Sequence, residues 1–184
     1  MGDVCGYGFL SRKNQLALQW KDRILIFGGW TENERPCAPN HVQVFFNGTW
    51  RCVKTGGRIF AAEVSVQDVQ EDDFVLLNPR TARVVGDKVY VMGTMDKIGG
   101  LIQKVCVLDL TTWSWSDLTP KGNAPIMVAC NTSWLHREKI YVYGGFWRGD
   151  IGIAYALNYS TGHHETVYSG DRNMTNQGCV SMLL

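Results

Sequence analysis

The key to the fold is "EKIYVYGGF", residues 138–146, where an acid and a base lead into an apolar run that stops at paired glycines. Nearly the same phrase occurs twice earlier, as "DRILIFGGW" at 22–30 and "DKVYVMGTM" at 87–95. Self-similarity at a long period marks a repeat architecture, in which each unit is too small to bury its own apolar face and must stack on its neighbour.

Counted from the first glycine of each phrase, the units stay in step. Trp50 in "VQVFFNGTWRCV" lies 22 residues after Gly28, and Trp115 in "VCVLDLTTWSWSDL" lies 22 after Gly93. His164 in "AYALNYSTGHHETV" lies 20 after Gly144. Each unit reads as a mixed strand, a short turn, an apolar strand, glycines, a variable loop, a second apolar strand, a tight turn and a last strand. Helical periodicity is absent throughout.

The residue types explain themselves physically. "ILIF", "VYVM" and "IYVY" are apolar on both faces, as expected of strands sandwiched between two layers. The glycines let the chain turn with positive φ or lie close to a neighbouring backbone. Trp50 and Trp115 carry more apolar area than one small sheet can bury, so the adjacent sheet must cover them. Asp109, Thr111 and Thr112 stand where side chains cap a hairpin turn, and Asn158 with Gly162 repeats the pattern.

Composition narrows the class. The chain has 184 residues, 45% of them apolar, with a net charge of +1. That describes one globular domain without the basic stripe that phosphate binding needs, so nucleic acid is excluded as a partner. The six cysteines, at 5, 37, 52, 106, 130 and 179, are scattered, which excludes C-x-x-C knuckles and reads as reduced, buried thiols. "MGDVCGYGFLSRK" lacks the apolar core of a signal peptide, and Gly6 stands where a myristoylation signal needs Ser or Thr. No apolar run has the length of a membrane span, so a cytoplasmic protein without membrane contact is expected. The sequons at Asn47, Asn131, Asn158 and Asn173 then read as incidental, and Asn47-Gly48 as a hairpin turn.

On these motifs the sequence resembles the kelch-repeat β-propellers, whose units combine an apolar strand, a Gly-Gly pair and a later tryptophan. The matching positions are Gly28-Gly29 with Trp50, Gly93 (Thr94 replacing the second glycine) with Trp115, and Gly144-Gly145 with His164 in the tryptophan's place. The linker "TPKGNAP", 119–125, is similar to the connection between kelch units. The resemblance implies an all-β fold, a β-propeller of four-stranded antiparallel blades forming an incomplete or open arc. Residues 1–184 form a single domain, with units at about 10–53, 80–118 and 127–168 and a partial one at 171–184. The span from Trp50 to Gly93 is 43 residues against 29 from Trp115 to Gly144, which places an insertion at about 56–78 with an acidic tip at 70–73. "TNQGCVSMLL" reads as the inner strand of the fourth unit. An open arc implies self-association through its uncovered edges, whether the chain is a fragment, a truncated product or half of an assembly.

Candidate chemistry is sparse. His163 and His164 are adjacent on a strand and point to opposite faces, so they cannot share a metal ion without a bulge. The inner strands "LALQW", "TARVV", "MVACNTS" and "CVSML" are mostly small and apolar, and Glu71, Asp72 and Asp73 read as a solvated loop. No nucleophile has a neighbouring base, so no catalytic residue, metal or cofactor is expected. The resemblance also admits a fragment of a kelch-type enzyme, a metal oxidase or sugar epimerase, but it implies first a scaffold or adaptor that binds a partner protein or peptide through its loops. The matching loop positions are Trp30, Arg35, Met95, Lys97, Phe146, Trp147 and Arg148. Trp147 beside Arg148 is the strongest of them, since such pairs are typical of interface hot spots.

Overall fold

The computed structural model describes residues 4–5, 11–13, 15–29, 41–57, 82–92, 94–95, 101–102, 105–118, 121–122, 132–143 and 153–169. The fold is all-β, and none of these residues is helical. The first sheet holds β1 (Val4–Cys5), β2 (Leu16–Trp20), β3 (Arg23–Phe27), β4 (His41–Phe46) and β5 (Thr49–Lys54), in the order β1-β5-β4-β3-β2. The second holds β6 (Gly56–Gly57), β7 (Ala82–Val85) and β8 (Lys88–Val91), and after a small ribbon of β9 (Thr94–Met95) and β10 (Leu101–Ile102), β11 (Val105–Asp109) and β12 (Ser114–Leu118). Its order is β6-β12-β11-β8-β7. The third holds β13 (Lys121–Gly122), β14 (Thr132–His136), β15 (Lys139–Tyr143), β16 (Ile153–Asn158) and β17 (His163–Ser169), in the order β13-β17-β16-β15-β14.

Each sheet is thus a four-stranded antiparallel meander with one short strand added at its outer edge. The turn chemistry sets the register. Lys21, Gly86 and Arg137 open the equivalent first hairpin turns with φ of 54°, 58° and 52°. At Asn47-Gly48 both residues have positive φ, 48° and 73°, the geometry that matches the twist of the flanking strands. In the longer turns, Asp109 Oδ1 accepts hydrogen bonds from the Thr111 amide, the Thr111 hydroxyl and the Thr112 amide. Asn158 Oδ1 does the same for Ser160 and Thr161. These bonds hold the Asp109 carboxyl below the usual carboxylate range, the Thr111 hydroxyl contributing most.

Two apolar clusters join the three sheets in sequence order. Leu16, Trp20, Leu25, Phe27, Val42 and Val44 of the first sheet pack against Val89, Val91, Cys106, Leu108 and Trp115 of the second. The other face of the second sheet, with Tyr90, Met92, Val105 and Val107, packs against Ile140, Val142, Tyr155 and Leu157 of the third. In β8 alternate residues therefore enter different clusters, and Val89, Tyr90 and Val91 are all buried. The other face of the first sheet enters neither cluster among the described residues: Ile24 is 42% exposed there, although Gln43 and Cys52 on the same face are buried. Strand β7 lies beside both β2 and β14, so the first strands of the three meanders run together along one edge.

The described strand in the third unit spans Thr132–His136 and pairs His136 with Lys139 across the Arg137-Glu138 turn; of the expected "MVACNTS", Thr132 and Ser133 lie in it and 127–131 lie outside the described residues. Positive φ at Arg137 closes that hairpin and carries the register with it. Gly56–Gly57, at the start of the expected insertion, form the edge strand on β12. The remainder of the insertion, the acidic tip and the expected partial unit at 171–184 lie outside the described residues. No helix among the described residues is long and apolar enough to cross a membrane.

Candidate functional site

Strand direction gives each sheet two unlike ends. At one end the strands are joined by tight turns, 21–22 and 47–48 in the first sheet, 86–87 and 110–113 in the second, 137–138 and 159–162 in the third. At the other end the second strand of each meander stops and the third begins, with residues 28–40, 92–104 and 144–152 between them. The tight-turn ends of the first two sheets are tied together. Trp20 Nε1 donates to Asp87 Oδ1 at 2.9 Å, and Lys21 Nζ lies 2.7 Å from the same oxygen. Those contacts, with Lys21 first, hold the Asp87 carboxyl below its ordinary range. Two of the turns at this end are capped by their own side chains, Asp109 and Asn158.

The opposite end of the first sheet is built differently. Gly28 and Gly29 leave β3 with φ of 65° and 80°. A Cβ on Gly29 would stand 2.5 Å from the Lys13 carbonyl oxygen and 2.9 Å from Gln15 Cα, so only glycine lets these backbones meet. Arg12 Nη1 donates to the Gly28 carbonyl at 3.2 Å, placing its guanidinium at the point where the chain leaves the strand. The chain re-enters the sheet at His41, which stands opposite Lys54 in the register of β4 and β5. Burial, then the Lys54 charge, then the Arg12 charge hold the His41 imidazole below its ordinary pKa. Arg12 and Lys54 are therefore within electrostatic reach of His41, two cations that make a cationic rim around an imidazole held toward its neutral form. In the second sheet Arg83 Nη1 donates to the Ala82 carbonyl at 2.6 Å, and burial lowers the guanidinium pKa. Partly desolvated cations of this kind favour a carboxylate partner, which supplies charge and paired acceptors together.

Of the expected partner-binding residues, Trp30, Arg35, Lys97, Phe146, Trp147 and Arg148 lie outside the described residues. Met95 is described at its backbone, in β9 opposite Leu101 of β10. Gly93, Gly144 and Gly145 also lie outside. Of the repeat positions, Trp115 is 2% exposed and Trp50 is half-buried. Trp115 is covered by the sheet before it in sequence. Trp50 is paired across β4 with Phe45, their rings 5.0 Å apart, on the face turned away from the second sheet. His163 is exposed and His164 buried, as adjacent strand residues require. Among the described residues no three His, Cys, Asp or Glu side chains are grouped to hold a metal ion.

The cationic rim escapes a reading of the sequence because Arg12, His41 and Lys54 are far apart along the chain and none belongs to a motif. The signal that could have found them is positional: His41 and Lys54 flank the ends of the hairpin that Asn47-Gly48 turns. No family model matches the chain, and no curated protein matches it.

Proposed function

We propose that this chain is a kelch-type propeller segment that works as a protein-interaction module, binding a partner protein or peptide through the connections at one end of its sheets. The reading is supported by three antiparallel meanders stacked in sequence order with their first strands along one edge. The observation that carries it is the cationic rim of Arg12 and Lys54, flanking His41, at the end of the first sheet from which residues 28–40 depart. A rigid sheet that presents cations beside long connections suits an acidic peptide or a chain's terminal carboxylate. Trp30 and Arg35 belong to that same connection in sequence, and Trp147 and Arg148 to the corresponding one of the third unit.

The test is recovery of partners from cell extract by wild type, Arg148→Ala and Lys54→Gln, with thermal melts of all three. Arg148→Ala should weaken the partner by about 2 kcal/mol or more with little change in melting. Lys54→Gln should act mainly on the association rate and reduce its salt dependence, as rim charges do. Equal recovery by all three proteins would remove this end of the sheets as the site.

A further inference from the structure

We propose that Cys5 and Cys52 form a reversible cross-strand disulfide that locks the N-terminal strand onto the first sheet. The antiparallel register of β1 on β5 sets Cys5 directly opposite Cys52, with Val4 opposite Val53. Directly opposed residues of an antiparallel pair share a face, with Cα atoms about 4.5 or 5.5 Å apart. Both separations lie inside the roughly 4.4–6.8 Å range that a disulfide spans. Cys106 offers the contrast. It is fully buried, and the residues opposite it are Val91 and Asp117. Among the described residues no other two cysteines stand opposite each other.

The outer edges of the sheets explain why a covalent bond belongs here. Strands β6 and β13 run parallel to the strands they join, and the glycines Gly57 and Gly122 press their backbones onto β12 and β17. Strand β1 has two residues, as β6 and β13 do, but it runs antiparallel and carries no glycine that presses it onto its neighbour. Cys52 is 6% exposed, set beside the fully paired strand β4 opposite Gln43. A disulfide would hold that two-residue ladder closed until it is reduced.

The chemistry is thiol–disulfide exchange with a small-molecule disulfide as oxidant. One protein thiolate attacks the oxidant and releases a small thiol, leaving a mixed disulfide. The opposing thiolate then attacks the protein-bound sulfur and expels the second small thiol. Two protein thiols are oxidised, and one disulfide is reduced to two thiols. A dithiol reverses both steps.

The experiment treats the full chain with oxidised glutathione, blocks remaining thiols with iodoacetamide and maps peptides by mass without reduction. The expected result is a Cys5–Cys52 linked pair as the main cross-link, two hydrogens lighter than the reduced pair and lost on adding dithiothreitol. Cys106→Ser should leave it unchanged and Cys5→Ser should abolish it. Oxidised wild type should melt above reduced wild type, while Cys5→Ser melts alike in both conditions. Because Cys52→Ser alters a buried site and can disturb folding, Cys5→Ser is the deciding variant. Recovery of Cys52 as a glutathione adduct only, as the blocked thiol, or linked mainly to another cysteine would overturn the proposal.

Discussion

Trp115 and His164 hold the same place in two sheets. Trp115 follows Asp109 as His164 follows Asn158, and the edge strands meet them alike, Gly57 opposite Trp115 and Gly122 opposite His164. The turn in front matches down to the backbone: Gly56 N donates to Trp113 O at 2.9 Å, and Lys121 N to Gly162 O at 2.8 Å. Yet the two side chains do different things. Trp115 crosses to the first sheet, where its ring meets Phe27 edge-on at 6.0 Å, and its Nε1 donates to the buried Thr55 hydroxyl at 2.9 Å. His164 stays within its own sheet against Tyr155, 6.2 Å between ring centres, and neither ring nitrogen has a hydrogen-bond partner among the described residues. Among the described residues, one frame therefore holds a satisfied junction and an unsatisfied one.

The most direct challenge to this pairing is at the tryptophan. Trp115→Ala should destabilise the chain by about 3–5 kcal/mol, since it empties a site closed by two sheets. Urea unfolding that shows a loss under about 1 kcal/mol would mean that the two sheets are not held together there.

The histidine makes the next test, through pH. Burial first, then the His163 charge, lowers the His164 pKa to about 4. A depressed imidazole pKa means that the unfolded chain binds the proton more readily. The stabilisation is complete above about pH 6.5 and is lost as pH falls from there toward about 4, a change on the order of 3 kcal/mol. Urea midpoints across this range should fall in wild type and flatten in His164→Phe. An equal slope in both would assign the titration to other groups, His41 first among them, since its pKa is lowered too.

The edge glycines probe the equivalence more finely. At Gly57, φ is 85° and a Cβ would overlap the Trp115 carbonyl oxygen, whereas at Gly122, φ is 84° and the nearest atom, the His164 carbonyl oxygen, is 2.9 Å away. Gly57→Ala should cost about 2–3 kcal/mol and Gly122→Ala about 1–2 kcal/mol, both measured by thermal melts. The reverse order would contradict the tighter seat of Gly57.

A smaller effect belongs to Thr55→Val, which leaves the Trp115 indole N–H buried without its acceptor. The expected loss is about 1–2 kcal/mol, with the pH profile unchanged. Smallest are the turn caps. Asp109→Ala and Asn158→Ala should each cost about 1 kcal/mol by urea unfolding, because each removes one oxygen that accepts three hydrogen bonds.

How much of this is legible in the chain varies with the range of the interaction. The hairpin turns, the capping roles of Asp109 and Asn158 and the opposite facing of His163 and His164 all follow from neighbours a few residues apart, and each is readable. The expectation that all three apolar strands lie between two layers holds for β8, whose alternate residues enter both clusters; for β3 the described residues show one face in a cluster and Ile24 42% exposed on the other. The cationic rim is not readable, since His41 and Lys54 become neighbours only when a hairpin folds and Arg12 reaches them from a separate segment.

Local preferences along the chain were enough to set the period, the strand-and-turn grammar of each unit and the points where glycine is required, because these depend on sterics and hydrogen bonding within short windows. Only the folded chain settled which faces of β3 and β8 are covered, that Trp115 has a hydroxyl partner and His164 none among the described residues, and that Cys5 stands opposite Cys52. Those outcomes depend on pairing across 47 to 60 residues of chain, Cys5 with Cys52 and Thr55 with Trp115, and no local preference encodes such a distance.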